Sequence, residues 1–584
     1  MIGKVFKKML VTQILSAMTV TLCLLIDSIM IGQFIGVKGM TAYGLSTPIL
    51  LVFAALGAMI AAGVQVVCGN TMGKGDEKGT NSCFSVSSIL ALGISVIGLI
   101  LIFTVPDQLC SMLGAGSPTD GGEIFDNTKN YLFGFIIGAP AFIFAQIMVP
   151  YIQMVGEQTR LITAVAAMTI ADVVFDLLNV LVFKGGMFGM GLASSLSYYI
   201  AVAIGITYFF SKKNIFKFGF KYWSLKTCKE VIKNGIPTVI NQVSLVLLVF
   251  LFNRILLHVG GDLAVASYSV ITTVSNICYS FGSGVAAVSL TLSSVLYGDE
   301  DRSSLHMLVR IMTRYAVVIN IVVTLVVILI APLIVKMFLE EESATGMAVL
   351  GLRLFSLSLV PCSLNTVFKN FYQGTSRIGF TEVISLLQNF ALTAIAGSVL
   401  SLVFGTTGVW LGFVCGETLT FLIVCIVVYM KDRRLQPLAE VFAYLKDEVG
   451  VEDENCFETK VVSLEEVVQA SEQVRDFCLK HSEDQRTAMC VALCVEEMAV
   501  NTIKFGFVAD KKKDHSIEIR YMNKDGKRTL RLRDDCMHFD PVTFTIDKIE
   551  ESPEKHIGIR MMMNMVKDAK YISTLGLNNL TMVF

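Results

Sequence analysis

Apolar stretches separated by short polar clusters run through most of this chain. They fall near 9–35, 44–68, 83–105, 131–155, 161–183, 188–211, 236–258, 264–296, 310–338, 347–372, 380–404 and 408–430. Each is long enough to cross roughly 30 Å of hydrocarbon, which takes about 20 helical residues, so the pattern predicts about twelve transmembrane helices. After Arg434 the pattern changes. A charged stretch, DEVGVEDEN, leads to helical periodicity over Leu464–Lys480 and Glu483–Phe507. HSIEIRYMNKDGKRTLRLRD then alternates apolar and polar residues about Asp525 and Gly526, which predicts a β-hairpin. A helix near 557–568 and a last strand, NLTMVF, complete a predicted α/β sandwich. This tail, about 130 residues, is long enough for one domain.

The apolar part repeats. GKGDEKGTNS at Gly73 resembles LYGDEDRSSL at Leu296, AYGLST at Ala42 resembles SYSVIT at Ser267, and the Pro140–Tyr151 interval recurs as Pro361–Tyr372. One offset of about 220–225 residues serves all three, which predicts two six-helix repeats in parallel orientation, an arrangement suited to two bundles rocking about a site between them. The expected organisation is a first bundle over 1–212, a basic inter-bundle loop over 213–235, a second bundle over 236–434, a linker over 435–455 and a cytoplasmic domain over 456–584.

Composition agrees: 54% of residues are hydrophobic and 16% charged, with a mean hydropathy of +0.66, well on the membrane side of ordinary soluble domains. The formal net charge of −1 supplies no basis for nucleic-acid binding. Basic residues concentrate on one side, at Lys7 and Lys8, between Lys212 and Lys233, and at Lys431, Arg433 and Arg434. The positive-inside rule then predicts a multi-pass protein of the cytoplasmic (inner) membrane with both termini in the cytoplasm. Fourteen cysteines lack C-x-x-C spacing; Cys490 and Cys494, one turn apart, do not complete a tetrahedral metal site, and all read as reduced thiols.

An ionisable residue within a span costs about 2.5–3.5 kcal/mol or more and marks a functional candidate. Asp27 lies in LCLLIDSIMIGQF, and Asp172, Asp176 and Asn179 lie at i, i+4 and i+7 of MTIADVVFDLLNVLVF, on one helix face. Crowded, desolvated carboxylates take up a proton or a cation, so these four are the expected coupling site for H⁺ or Na⁺. The plainer alternative makes the acids structural partners of Arg254 or Lys369. Glu417 and Glu382 read as local partners near helix ends.

These residues carry a resemblance. IDSIMIGQFIGVKGMTAYGLSTPI resembles the first-span signature of the multidrug and toxin extrusion (MATE) family, and ADVVFDLLNVLVFKGGMFGMGLASSLS resembles its fifth-to-sixth-span signature. The likeness covers roughly residues 5–430. It implies a twelve-helix, V-shaped antiporter in which cations moving in drive small organic substrates out. Asp27 and Asp176 match the family's acids of spans one and five; Asp172 stands where an Asn is usual, and Lys369 occupies span ten where an acid would be expected.

The tail resembles the histidine-kinase-like ATPase fold, in particular anti-sigma-factor serine kinases. EEMAVNTIKF fits the E-x-x-x-N box, which implies Glu497 as general base and Asn501 as Mg²⁺ ligand. LRDDCMHFDP fits the adenine-recognising box through Asp534, and HIGIRMMMNMV fits the Gly-rich box through Gly558. Cys536 and His556 stand where that family has glycines, so the resemblance implies ATP and Mg²⁺ binding, or serine kinase activity, in a degenerate form.

The reading is primarily a secondary transporter: a cation-coupled antiporter exporting organic, cationic or amphipathic compounds, embedded in lipid, with a regulatory tail that docks a cytoplasmic protein. Two alternatives stand beside it, a membrane-anchored serine kinase with the spans as sensor, and a lipid-linked saccharide flippase whose cationic cavity would use Arg254 and Lys369.

Overall fold

Helices start where the chain supplies caps. Asp76 accepts from the Gly79 amide (2.9 Å) to open one helix, and Asp301 accepts from the Ser304 amide (3.0 Å) to open its counterpart in the second half. Both caps come from the repeated GDE motif. In the second copy the cap has moved two residues along, to Asp301, which leaves Asp299 and Glu300 outside the helix.

The computed structural model describes all residues except 117–121, 212, 339–341, 432–448, 452, 510–513, 525 and 544–556. The first bundle comprises α1 (Ile2–Met30), α2 (Val37–Gly73), α3 (Glu77–Thr104), α4 (Pro106–Met112), α5 (Glu123–Met154), α6 (Gln158–Leu178) and α7 (Gly186–Ile206). The second comprises α8 (Leu225–Gly298), α9 (Arg302–Lys336), α10 (Glu342–Ser356), α11 (Leu359–Gly374), α12 (Ile378–Leu386), α13 (Leu392–Phe404) and α14 (Thr406–Lys431). Wide π-helical turns follow α1 at Ile31–Ile35, follow α6 at Asn179–Phe183, and join α12 to α13 at Leu387–Ala391.

Among the described residues ten helices are long and apolar enough to cross a membrane, and the pair Thr345–Ser356 and Leu359–Gly374, bent by 45°, adds an eleventh. The 74-residue α8 contains Gly261 at φ 64°, ψ −160°, and is two helices meeting there. That break falls between the expected spans 236–258 and 264–296. The inter-bundle loop is shorter than expected: Ser224 accepts from the Thr227 amide and α8 begins at Leu225, so residues 225–235 are helical.

The two halves meet along α2 and α8. Glycine permits this approach: a Cβ on Gly69 would run into Ser294, and one on Gly73 into the Val295 carbonyl. Thr291 Oγ1 donates to Gln153 Oε1 (3.3 Å) and Asn70 Nδ2 to Ser376 Oγ (3.1 Å) across the same seam. All fourteen cysteines are free.

The tail holds β1 (Cys456–Val461), α15 (Leu464–Lys480), α16 (Gln485–Asn501), β2 (Ile517–Lys524), β3 (Lys527–Asp534), α17 (Ile557–Met565), β4 (Asp568–Thr574) and β5 (Leu577–Val583). The strands form one antiparallel sheet in the order β1-β2-β3-β5-β4. The expected hairpin is β2–β3, closing at Lys524 and Lys527, with Asp525 outside the described residues. β1 and β4 were not expected, and the last helix ends at Met565 because β4 starts at Asp568. The linker expected at 435–455 lies largely outside the described residues, as does His556.

Alternation decides the two faces of this sheet. Ile517, Ile519, Tyr521, Leu530 and Leu532 pack in one core with Val491, Val495 and Met498 of α16. The intervening Glu518, Arg520, Arg531 and Arg533 face the other way, toward the helical bundles.

Candidate functional site

Asp27 of α1 and Asp172 and Asp176 of α6 are buried together, at 6, 3 and 0% exposure. Ser194 Oγ, from α7, approaches Asp27 Oδ2 (3.4 Å), while the Ser197 hydroxyl and the Cys23 thiol lie beside Asp172. The Asp27 and Asp176 carboxyl groups face each other, and among the described residues neither Asp176 oxygen nor Asp27 Oδ1 has a donor. Two carboxylates cannot face each other in apolar surroundings while both are ionised and uncompensated; a proton or a cation between them resolves the conflict. Among the described residues no lysine, arginine or histidine pairs with these acids. The structural-pair alternative is thereby corrected: Arg254 is exposed beside the Phe250 ring (5.5 Å), and Lys369 has other partners.

Asn179 has a different job from the three acids. Its Nδ2 donates to the Gly186 carbonyl (3.1 Å), and its Oδ1 accepts from the Gly185 amide (3.1 Å). The side chain closes the wide turn into α7, and these bonds occupy its Nδ2 and one lone pair of its Oδ1.

The second half is built otherwise. Lys369 Nζ donates to Asn241 Oδ1 (2.5 Å) and to Gln388 Oε1 (3.4 Å), Gln388 Nε2 reaches Glu417 Oε1 (3.4 Å), and Asn365 Nδ2 donates to Glu417 Oε2 (2.8 Å). Glu417 is 6% exposed in the middle of α14, which corrects its expected place near a helix end. Lys369 lines two cavities. One, about 250 Å³, lies inside the second bundle with Tyr268, Tyr279, Phe413 and Glu417; the other, about 390 Å³, lies between the halves with Gln13, Gln65 and Gln146 opposite. The amide and hydroxyl partners were missed because single polar residues in apolar runs carry no spacing signal; the serines of ASSLS were visible only as part of a motif.

In the tail, Asn501 and Asp534 line one pocket of about 460 Å³, with Phe505, Met537 and Tyr571 among its walls. Asp534 accepts from Asn578 Nδ2 (2.7 Å) and from the Cys536 amide (3.0 Å); burial pushes its carboxyl above the ordinary value, and these bonds oppose that push. Glu497 sits one turn before Asn501, and a Cβ on Gly558 would run into its carboxylate, so Glu497 and Gly558 meet beside the pocket. The four residues expected from the three motifs are thus neighbours at one end of α16. Cys536 lines the pocket, and its side chain stands where it would press on a Cβ at Gly506, filling space that glycine would leave open.

Comparison with known proteins follows the helical part. The MatE family model matches residues 13–178 and 237–400. The multidrug export protein MepA of Staphylococcus saprophyticus is 24% identical over 412 residues, covering 69% of this chain and 89% of the relative. MepA of Staphylococcus aureus is 23% identical over 399 residues, covering 68% and 86%. Among solved structures, an outward-facing multidrug resistance MATE family transporter superposes with a TM-score of 0.67 at 20% identity, covering 72% of this chain and 94% of that one. A point mutant of the Vibrio cholerae MATE transporter VcmN gives 0.68 at 16%, covering 75% and 98%. Two matched blocks, one in each half of the helical part and together more than half of the chain, place this multi-pass membrane protein in the MATE family of transporters.

Proposed function

We propose that this chain is a cation-coupled exporter of small organic compounds, driven by H⁺ or Na⁺, whose tail is a cytoplasmic adenine-nucleotide-binding regulatory module. One observation carries the first part: Asp27 and Asp176 face each other, buried, with no cation paired to them among the described residues. A cation arriving there removes the repulsion that keeps the two helices apart, and its departure restores it. α1 and α6 then respond to occupancy, which is what coupling an ion to a rocking bundle requires. The concentration of basic residues on one side supports a cytoplasmic position for the termini and the tail. The similarity to proteins named for multidrug export supports organic, cationic or amphipathic substrates.

Family membership favours this reading over a membrane-anchored kinase or a saccharide flippase. An ATP-driven exporter would also need a G-x-x-x-x-G-K-[ST] loop, and the sequence contains none. A gradient suffices: one charge crossing 100 mV yields about 2.3 kcal/mol, roughly fiftyfold accumulation at about 1.4 kcal/mol per tenfold. The resemblance of the Asn501–Asp534 pocket to an ATPase site supports nucleotide binding with little turnover, and a cytoplasmic protein as the module's target.

Proteoliposomes carrying the full chain test the coupling. An imposed proton or Na⁺ gradient should drive a lipophilic organic cation across the membrane without ATP. Movement that required ATP hydrolysis and ceased with Glu497→Gln at a constant gradient would overturn the assignment.

Lys369 favours a second reading of the substrate alone. A buried ammonium lining both cavities would attract an anionic group, so the exported compound would be zwitterionic or anionic and amphipathic. Competition by an anionic amphiphile, lost in Lys369→Met, distinguishes the two.

A further inference from the structure

The sheet face that carries arginines is not exposed to water. Arg531 bonds Asp301 Oδ2 (2.7 Å) and also Asp299; Arg533 bonds Asp299 Oδ2 (2.5 Å) and Asp301 Oδ2 (3.2 Å); Arg520 bonds Asp301 Oδ1 (3.2 Å) and the Glu300 carbonyl (3.0 Å). Lys524 adds an ion pair to Glu300 (2.8 Å). The three guanidinium side chains are 4–7% exposed and the Asp301 side chain 0%. All three acids belong to the α8–α9 connection, in the second half.

The same sheet also holds the first half. In the β4–β5 turn the Leu575 amide donates to the Met154 carbonyl (2.5 Å) at the end of α5. Gly576 lies so close to Gly156 that a Cβ on Gly156, itself at φ +82°, would run into the Gly576 backbone. Lys4 of α1 donates to the Asp514 carbonyl (3.0 Å). One hydrogen-bonded sheet thus spans the α5–α6 connection of one half and the α8–α9 connection of the other. Those connections lie at the ends of α5 and α8 on the side where the α2–α8 seam closes the cavity between the halves.

We propose that the docked tail is a clamp: it ties the two halves together at the tail-side mouth of the transport path, and that mouth opens only when one of the two grips lets go. The inference rests on the rocking-bundle reading above and adds its regulation. Rocking separates the α5–α6 and α8–α9 connections on this side, and a sheet whose strands are joined by regular hydrogen bonds does not stretch with them. Release of the arginine grip must rehydrate several buried charges together, so the grip is held or lost as a unit.

The pocket lies against this clamp. Cys536, Met537, His538 and Asn578 line both the Asn501–Asp534 pocket and a cleft of about 260 Å³ whose opposite wall includes Lys8, Gly156, Glu157 and Lys213 of the first half. A ligand pressing on that shared wall changes the fit of the tail against the first half. By linkage, docking changes the ligand's affinity by the same factor.

Arg531→Glu/Arg533→Glu in the full chain tests the clamp, with hydrogen exchange and gradient-driven transport read on the same preparation. Exchange should rise at least tenfold both at residues 575–576 and at the α2–α8 seam, residues 69–73, and the transport rate should rise at least threefold. Asp299→Arg combined with Arg533→Asp should restore the slow exchange that Asp299→Arg alone abolishes, which separates a broken ion pair from a misfolded tail. Unchanged exchange at 575–576 would overturn the grip. Faster exchange there with a seam and a rate that stay at wild-type values would reduce the tail to a tether and overturn the clamp. Because exchange is read without transport, it decides the clamp even in a chain that fails to move ions or substrate. Mg-ATP titrated against the full chain and the arginine variant should bind with affinities differing at least threefold; equal affinities, or no binding to either, would sever the pocket from the clamp.

Discussion

The two halves answer the same problem, charge inside a membrane, in opposite ways. The first gathers Asp27, Asp172 and Asp176, which have no cationic partner among the described residues. The second provides its own: Lys369, linked through Gln388 to Glu417, with Asn241 and Asn365 taking up remaining hydrogen-bonding capacity. A network that contains its counter-charge is complete when the protein folds. A cluster that lacks one is complete only when an ion arrives. Two halves with one helical frame thus differ in their buried charge: acids gathered in the first, and in the second an ammonium that faces the cavities.

The largest expected effect lies at the incomplete site. Asp176→Asn and Asp27→Asn should each lower gradient-driven transport by at least tenfold while the protein remains in the membrane, since each removes the charge a cation needs without changing volume. Wild-type rates in both would break the comparison at its first term. In the second half, Lys369→Met or Glu417→Gln alone should destabilise by about 3–5 kcal/mol, because each leaves a buried charge without its counterpart, and the double variant should recover most of that loss. Thermal unfolding in detergent measures this; additive losses would mean that the two charges do not form a unit.

Asp172→Asn sharpens the contrast within the first half. The Ser197 hydroxyl and the Cys23 thiol give it polar neighbours other than the facing acid, so its loss should weaken the dependence of rate on ion concentration while turnover is retained, by about 1–3 kcal/mol of ion binding. The smallest effect belongs to Asn179→Ala. Removing the turn closure should lower stability by about 1 kcal/mol and leave the ion dependence of transport unchanged, whereas a shifted ion dependence would return Asn179 to the coupling site.

How much of this was legible depends on the range over which each feature is encoded. Spans, repeats and the Asp172–Asp176 spacing are local patterns, and the structure follows them down to the break at Gly261. The partners of Asn179 were not legible because the wide turn at Asn179–Phe183, which brings Gly185 and Gly186 back to its side chain, leaves no mark in the periodicity. Glu417 looked local because its partners, Asn365 and Gln388, come from other helices. In the tail, the alternation in IEIRYM and TLRLRD declared that half the side chains would face away from α15 and α16. Nothing nearby declared what would cover them. Their acids lie some 220–235 positions earlier, within a motif legible as a repeat and a helix start. The repeat comparison even contained the clue, since the second copy, GDED, carries one acid more than the first.

That tail and the helices it rests on belong to one polypeptide. Covalent attachment makes docking a unimolecular event, with an effective concentration on the order of millimolar where the connection can span the sites. A contact with an intrinsic dissociation constant near 10 μM, too weak to hold two separate proteins together at cellular abundance, would then be about 99% formed, and a hundredfold loss of affinity would leave it about half formed. The tail therefore needs no tight interface to be docked at rest, and modest changes in that interface are enough to let it go. A separately expressed tail, added to helices from which it has been removed, should need concentrations far above those of the cell to restore what the intact chain achieves alone.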